Sequence, residues 1–95
     1  MPNDSIILSI RDVIDHTTIS WFRVDDVDFE MWRAIFDLNK DKTTLSVWYQ
    51  NDDDNWEFDV STEVYGEIAS GNAITLDSAK SKSVEAVVHE YPIES

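Results

Sequence analysis

The chain has 95 residues, of which 20 are acidic and 7 basic, giving a formal net charge of -13; 42% of residues are hydrophobic and none is cysteine. Such a charge excludes binding to nucleic acid or to an anionic membrane through net charge, because both require a positive surface. Eleven aromatic residues are more than an acidic disordered tail carries, so the chain is expected to fold, as one domain over residues 1–95.

Without cysteine there is neither a disulfide framework nor a thiolate metal site, which fits a reducing compartment. The opening Met-Pro-Asn-Asp-Ser lacks a basic n-region followed by a long apolar run, and no stretch approaches the roughly 20 apolar residues of a membrane span. A cytoplasmic location is the expectation. The triplet Asn3-Asp4-Ser5 matches a glycosylation acceptor, but the match has no weight without a secretion signal.

The first element is open between two forms. Asp4 or Ser5 would cap a helix carrying Ile6, Ile7, Ile10, Val13 and Ile14, whereas Ile6, Leu8 and Ile10 also alternate as a strand would. From Trp21 onward a meander is expected. In residues 43–50, Leu45, Val47 and Tyr49 face one way and Ser46 and Trp48 the other; residues 55–61 alternate likewise. A four-residue loop at 51–54 then pairs Tyr49 with Trp56, Val47 with Phe58 and Leu45 with Val60. A second loop at 39–42 pairs Leu38 with Thr43, Phe36 with Leu45, Ala34 with Val47 and Trp32 with Tyr49. A third at 25–28 pairs Trp21 with Trp32 and Arg23 with Glu30. The competing form for residues 28–38 is a helix, since Phe29, Trp32, Ile35 and Phe36 fall at helical spacing.

Downstream, Ser61 or Thr62 is expected to cap a short helix running to Ser70, with Gly71 as its left-handed stop. Residues 83–91 read as a last strand at a sheet edge, with Val84, Ala86 and Val88 alternating before Pro92. The expected fold class is therefore α+β, an antiparallel β-meander of about four to five strands with one or two short helices.

Catalytic and metal chemistry find little support. Asp37, Asn39, Asp41 and Thr43 mimic the first half of a calcium loop, but Lys42 stands where glycine is needed and Trp48 where a bidentate Glu is needed. His16 and His89 are far apart, and no nucleophile pattern, oxyanion hole or phosphate-binding glycine loop accompanies them. Neither an enzyme nor a cofactor is expected. Asp52, Asp53 and Asp54 read first as a solvated hairpin tip.

Between Thr43 and Ala79 the chain carries eight acidic residues and no lysine or arginine. Within that stretch Trp48 is expected on the outward sheet face, flanked by Glu57 and diagonally by Asp59, with Asp52, Asp53 and Asp54 beyond. An indole ringed by carboxylates suits a basic partner with an apolar notch. The structural alternatives are that Arg33, opposite in the expected register, stacks on Trp48, or that a terminal helix covers it. Trp21, Trp32 and Trp56 are expected in the core. Asp25, Asp26, Asp28 and Glu30 form a second acidic group, and Glu63 with Glu67 a third. The functional expectation is an inhibitor of a basic protein, foremost an immunity protein (antitoxin) for a bacterial nuclease toxin. The alternatives are a phage-type DNA mimic acting on a restriction or CRISPR effector, and an acidic accessory domain that binds partners or self-associates through the 83–91 edge.

Overall fold

The computed structural model describes residues 9–92. In chain order they form α1 (Ile10–Asp15), β1 (Phe22–Arg23), β2 (Met31–Leu38), β3 (Asp41–Gln50), β4 (Asn55–Thr62), β5 (Gly66–Ala73) and α2 (Leu76–Glu90). The five strands lie side by side in chain order and are antiparallel throughout, so the fold is α+β with a meander sheet. No helix among the described residues is long and apolar enough to cross a membrane.

The β3–β4 hairpin has the register that face alternation implies: Tyr49 faces Trp56, Val47 faces Phe58 and Leu45 faces Val60 across a loop at 51–54. The β2–β3 hairpin departs from expectation. Its loop is two residues, Asn39 and Lys40, with φ of 52° and 68°, and not four. Leu38 therefore faces Asp41, Phe36 faces Thr43, Ala34 faces Leu45 and Trp32 faces Val47. The same two-residue offset recurs at β1, where Arg23 faces Trp32 and Phe22 faces Arg33. An offset of two keeps every side chain on its face, so the alternation pattern is blind to it. Two left-handed residues give the hairpin a twist that matches its strands, although lysine in that region is unusual.

The tight turn draws Asp41 into the sheet. Only 3% exposed, its carboxylate accepts the Val64 N–H on one oxygen (3.0 Å) and the Tyr91 hydroxyl on the other (2.9 Å). It thereby joins the start of β3, the β4–β5 turn and the residue that follows α2. Burial, reinforced by the bond to Asp41, pushes the Tyr91 phenol up to about 12.

Two expected elements are replaced. Residues 62–70 are not a helix: the Thr62 hydroxyl accepts the Tyr65 N–H (2.9 Å), as a cap would, but Gly66 at φ 75° turns the chain back into β5. Glu63 and Glu67 are thus not helical neighbours. Gly71 is no helix stop. It lies within β5 opposite Phe58, whose ring packs so close that a Cβ there would sit 2.8 Å from Cζ. Residues 83–90 are not an edge strand but the second half of α2. Thr75 caps that helix through its bond from the Ser78 N–H (3.1 Å), and Ala79, Ser83 and Val87 recur every four residues as its buried face. The alternation of valines belongs to a helix whose small buried residues let it sit close to the sheet.

For residues 28–38, the strand form holds from Met31 onward. At the N-terminus Ser9 caps α1 by accepting the Asp12 N–H (3.1 Å), and Ile10 and Ile14 bury one face. The expectations for Asp4, Ser5, Ile6, Ile7 and Leu8 lie outside the described residues. The core sits between one face of the sheet and the helices, built on Leu38, Leu45, Val47, Val60 and Val87, all fully buried.

Two stability outcomes follow. Lys40→Gly removes left-handed strain and should raise unfolding free energy by about 0.5–1 kcal/mol in urea titrations. Asp41→Ala leaves the Val64 amide and Tyr91 hydroxyl without their acceptor and should cost about 3 kcal/mol, with Asp41→Asn, which keeps one acceptor oxygen, losing clearly less.

Candidate partner-binding face

Helix α2 packs on β3, β4 and β5, and α1 packs on α2, so the buried apolar side chains of the sheet all point to one side. The other face carries no helix among the described residues. Its side chains fall in cross-strand rows set by the register. One row runs Met31, Trp48, Glu57 and Asn72; the next runs Phe22, Arg33, Ser46, Asp59 and Ser70. A third holds Ile35, Thr44, Ser61 and Glu67.

Trp48 lies on this face, half-buried and directly opposite Glu57, with Asp59 one row along, which is the arrangement expected. Its other neighbour is new. The two-residue offset puts Met31, not Arg33, opposite the indole. Arg33 instead donates from Nε to the Ser46 hydroxyl (3.3 Å). The rings with a cation above them are Trp21 and Trp32, over which Lys80 Nζ stands at 5.3 Å and 4.7 Å on the helix side. Trp21 and Trp56 pack against the core, as expected, and Trp32 shares their side of the sheet.

Phe29, 41% exposed, meets Trp48 across a shallow hollow of about 280 Å³, which Asp52 borders from the β3–β4 loop. Phe22 (46%) and Ile35 (44%) extend the apolar surface along the same face. Sequence reasoning missed Met31 and Phe29 beside Trp48, and Phe22 and Ile35 farther along the face. The signal lay in the register: with Asn39-Lys40 taken as a two-residue turn, Met31 falls opposite Trp48.

Both acidic loops sit at the end of the sheet where β2 begins and β3 ends. The β1–β2 connection presents Asp25, Asp26 and Asp28, all exposed, beside Phe29, and the β3–β4 loop presents Asp52, Asp53 and Asp54. The three members of the second loop differ. Asp54 has φ 52° and accepts the Tyr49 hydroxyl, a bond that holds the loop and raises the Tyr49 phenol above its ordinary value. Asp52 and Asp53 have no such bond among the described residues. Glu30 is likewise engaged, accepting the Trp32 Nε1–H (2.9 Å).

Asp59 is a carboxylate held at a disadvantage. Burial raises its pKa, proximity to Glu67 adds to the rise, and Arg33 only partly opposes it. The half-calcium pattern does not converge. Asp37 is on the open face opposite Lys42, whereas Asp41 is buried on the helix side. Among the described residues no three His, Asp or Glu side chains are placed to hold a metal ion. The open face thus combines Trp48, Phe29 and Met31 with acidic loops at one end of the sheet. No protein-family model matches the chain, and comparison with curated proteins and with solved structures gives no match.

Because the folded state raises the pKa of Asp59, the native protein binds that proton more tightly than the unfolded chain. Its contribution to stability falls as pH rises through the raised pKa. Asp59→Asn should accordingly stabilise the fold near neutral pH and flatten the stability profile across the carboxylate range, as read by thermal melts at a series of pH values.

Proposed function

We propose that the chain is an acidic binding protein that neutralises a basic protein in the cytoplasm, and that its target is a nuclease toxin, making it an immunity protein. The observation that supports this reading is Trp48 beside Phe29 and Met31 on the helix-free face, with exposed acidic loops at the same end of the sheet. Large half-buried aromatic side chains dominate interface energetics once desolvated, and the surrounding carboxylates steer a positive partner toward them. A nuclease surface built for phosphates is positive by necessity, which makes it a fitting target for a chain of charge -13. In this reading Trp48 is the central contact, Glu57 and Asp59 flank it, and Asp52 and Asp53 form the rim. Asp54 acts mainly by holding the loop.

Duplex mimicry is the weaker alternative. A phosphate mimic requires charge spread along its surface, whereas here the acidic loops border an apolar group of Phe29, Met31 and Trp48. The accessory-domain alternative loses the self-association route through an 83–91 edge strand, since those residues are helical up to Glu90. An enzymatic role has no motif to recommend it, so the chain is assigned binding and not catalysis.

The test is a pull-down from host lysate at low and moderate salt, followed by affinity measurement with the recovered partner. One basic nuclease domain retained at moderate salt supports the reading; a broad set of DNA-binding proteins released by salt supports mimicry instead. With the partner in hand, Trp48→Ala should weaken binding by about 2 kcal/mol or more. Asp52→Asn or Asp53→Asn should mainly slow association and reduce its salt dependence. Unchanged affinity for Trp48→Ala removes this face from the interface.

A further inference from the structure

β5 ends the sheet, and among the described residues no strand pairs with its outer side. Half of the N–H and C=O groups of an edge strand point away from its neighbour and accept a further strand. Edge strands are commonly protected by their own lysine or proline, but β5 reads Gly-Glu-Ile-Ala-Ser-Gly-Asn-Ala and has neither. Its guards are the bulge at Ile68 and a borrowed one: Lys82 of α2 donates from Nζ to the Asn72 carbonyl (3.2 Å), and the stretch between them is open among the described residues.

Alongside this edge, between β5 and α2, runs an open groove of about 690 Å³. Its apolar lining comes from Phe58, Ile68, Ala69 and Ala86, and its polar lining includes Ser81 and Glu90. Two local features shape it. The register shift at Val60/Ser61 makes Ile68 the extra residue of β5, and Gly71 leaves its pleat without a side chain over the Phe58 ring. Edge hydrogen-bonding groups next to an apolar groove make up the two halves of strand-addition recognition, in which the main chain pairs with the edge and alternate side chains fill the groove.

We infer that this edge and groove receive an extended peptide segment of a partner, added antiparallel to β5 as a sixth strand, with alternate apolar side chains and basic residues at its C-terminal end. Charge decides the occupant. A second copy of the chain would bring another -13 to the same edge. Of the charged groups lining the groove, Lys82 is engaged with the Asn72 carbonyl and Glu85 is held by Arg11 at 2.7 Å with His89 beside it, whereas Glu90, at the end toward Gly66, has no ion-pair partner among the described residues. A strand antiparallel to β5 places its C-terminal residues at that end. The surface lies on the helix side of the sheet and does not include Trp48, so it stands apart from the function proposed above.

The test is titration of the ¹⁵N-labelled chain with an acetylated, amidated heptapeptide of alternating threonine and valine ending in two lysines. Amide shifts and at least tenfold slower hydrogen exchange are expected within residues 69–72, with the Trp48 indole signal unmoved. Methylating the peptide nitrogens that face β5 should weaken binding at least tenfold. Ser81→Trp, which fills the groove from an exposed position, should do the same and leave the melting temperature unchanged, whereas Trp48→Ala should leave affinity for this peptide as it was. Absence of binding, shifts centred on Trp48, equal binding of the methylated peptide, or a dimer of the free chain in light scattering would each overturn the inference.

Discussion

A single buried carboxylate ties together three parts of this molecule that lie far apart in sequence. Asp41 opens β3, accepts from Val64 in the β4–β5 turn and accepts from Tyr91 just beyond α2. An unpaired carboxylate in that position would be prohibitively unfavourable, so folding has to bring two donors to it. The donors come from the two segments that must be correctly placed for β5 and α2 to form. The two-residue turn at Asn39 and Lys40 belongs to the same arrangement: only that offset puts Asp41 within the ladder and on the buried side.

From that joint follows a strict division of the sheet. The helix side takes Leu38, Leu45, Val47, Phe58 and Val60, and α2 closes over them with Ala79, Ser83 and Val87. Ser83 on the buried face is satisfied within its own helix by the Lys80 carbonyl (2.7 Å), so the small residue brings helix and sheet together without an unpaired hydroxyl. The opposite side is left with Phe22, Phe29, Met31, Ile35 and Trp48 among carboxylates. Isolated exposed apolar residues are ordinary on a protein surface, but several on one helix-free sheet face, beside loops of like charge, make a surface suited to contact.

The acids themselves have unequal roles. Asp41, Asp54 and Glu30 accept hydrogen bonds that hold local structure, and Glu85 is paired with Arg11. Asp25, Asp26, Asp28, Asp52 and Asp53 have no such employment among the described residues and cluster at one end of the sheet. Asp59 is kept partly buried near Glu67 against its own ionisation. Charge held in this way weakens the isolated fold and strengthens attraction to a positive partner, which is the physical reason to read the open face as a binding surface.

By itself the sequence determined the α+β class, the β3–β4 hairpin with its four-residue loop and register, and the outward position of Trp48 beside Glu57 and Asp59. These rest on period-two alternation and short loops, which are local and mutually constraining. Tertiary structure alone decided the rest. Whether residues 39–42 form a two- or a four-residue loop is invisible to alternation, since both keep the same faces; the burial of Asp41 against Val64 and Tyr91 distinguishes them. Thr62 makes a cap-like bond whether a helix or a turn follows, and the pairing of β5 with β4 selects the turn. The valines of residues 84–88 suit a strand locally, but Thr75, Ala79, Ser83 and Val87 give a capped helix with a narrow face that fits the sheet. Met31 and Phe29 became neighbours of Trp48 only through that register, because contacts across strands depend on pairing and not on proximity along the chain.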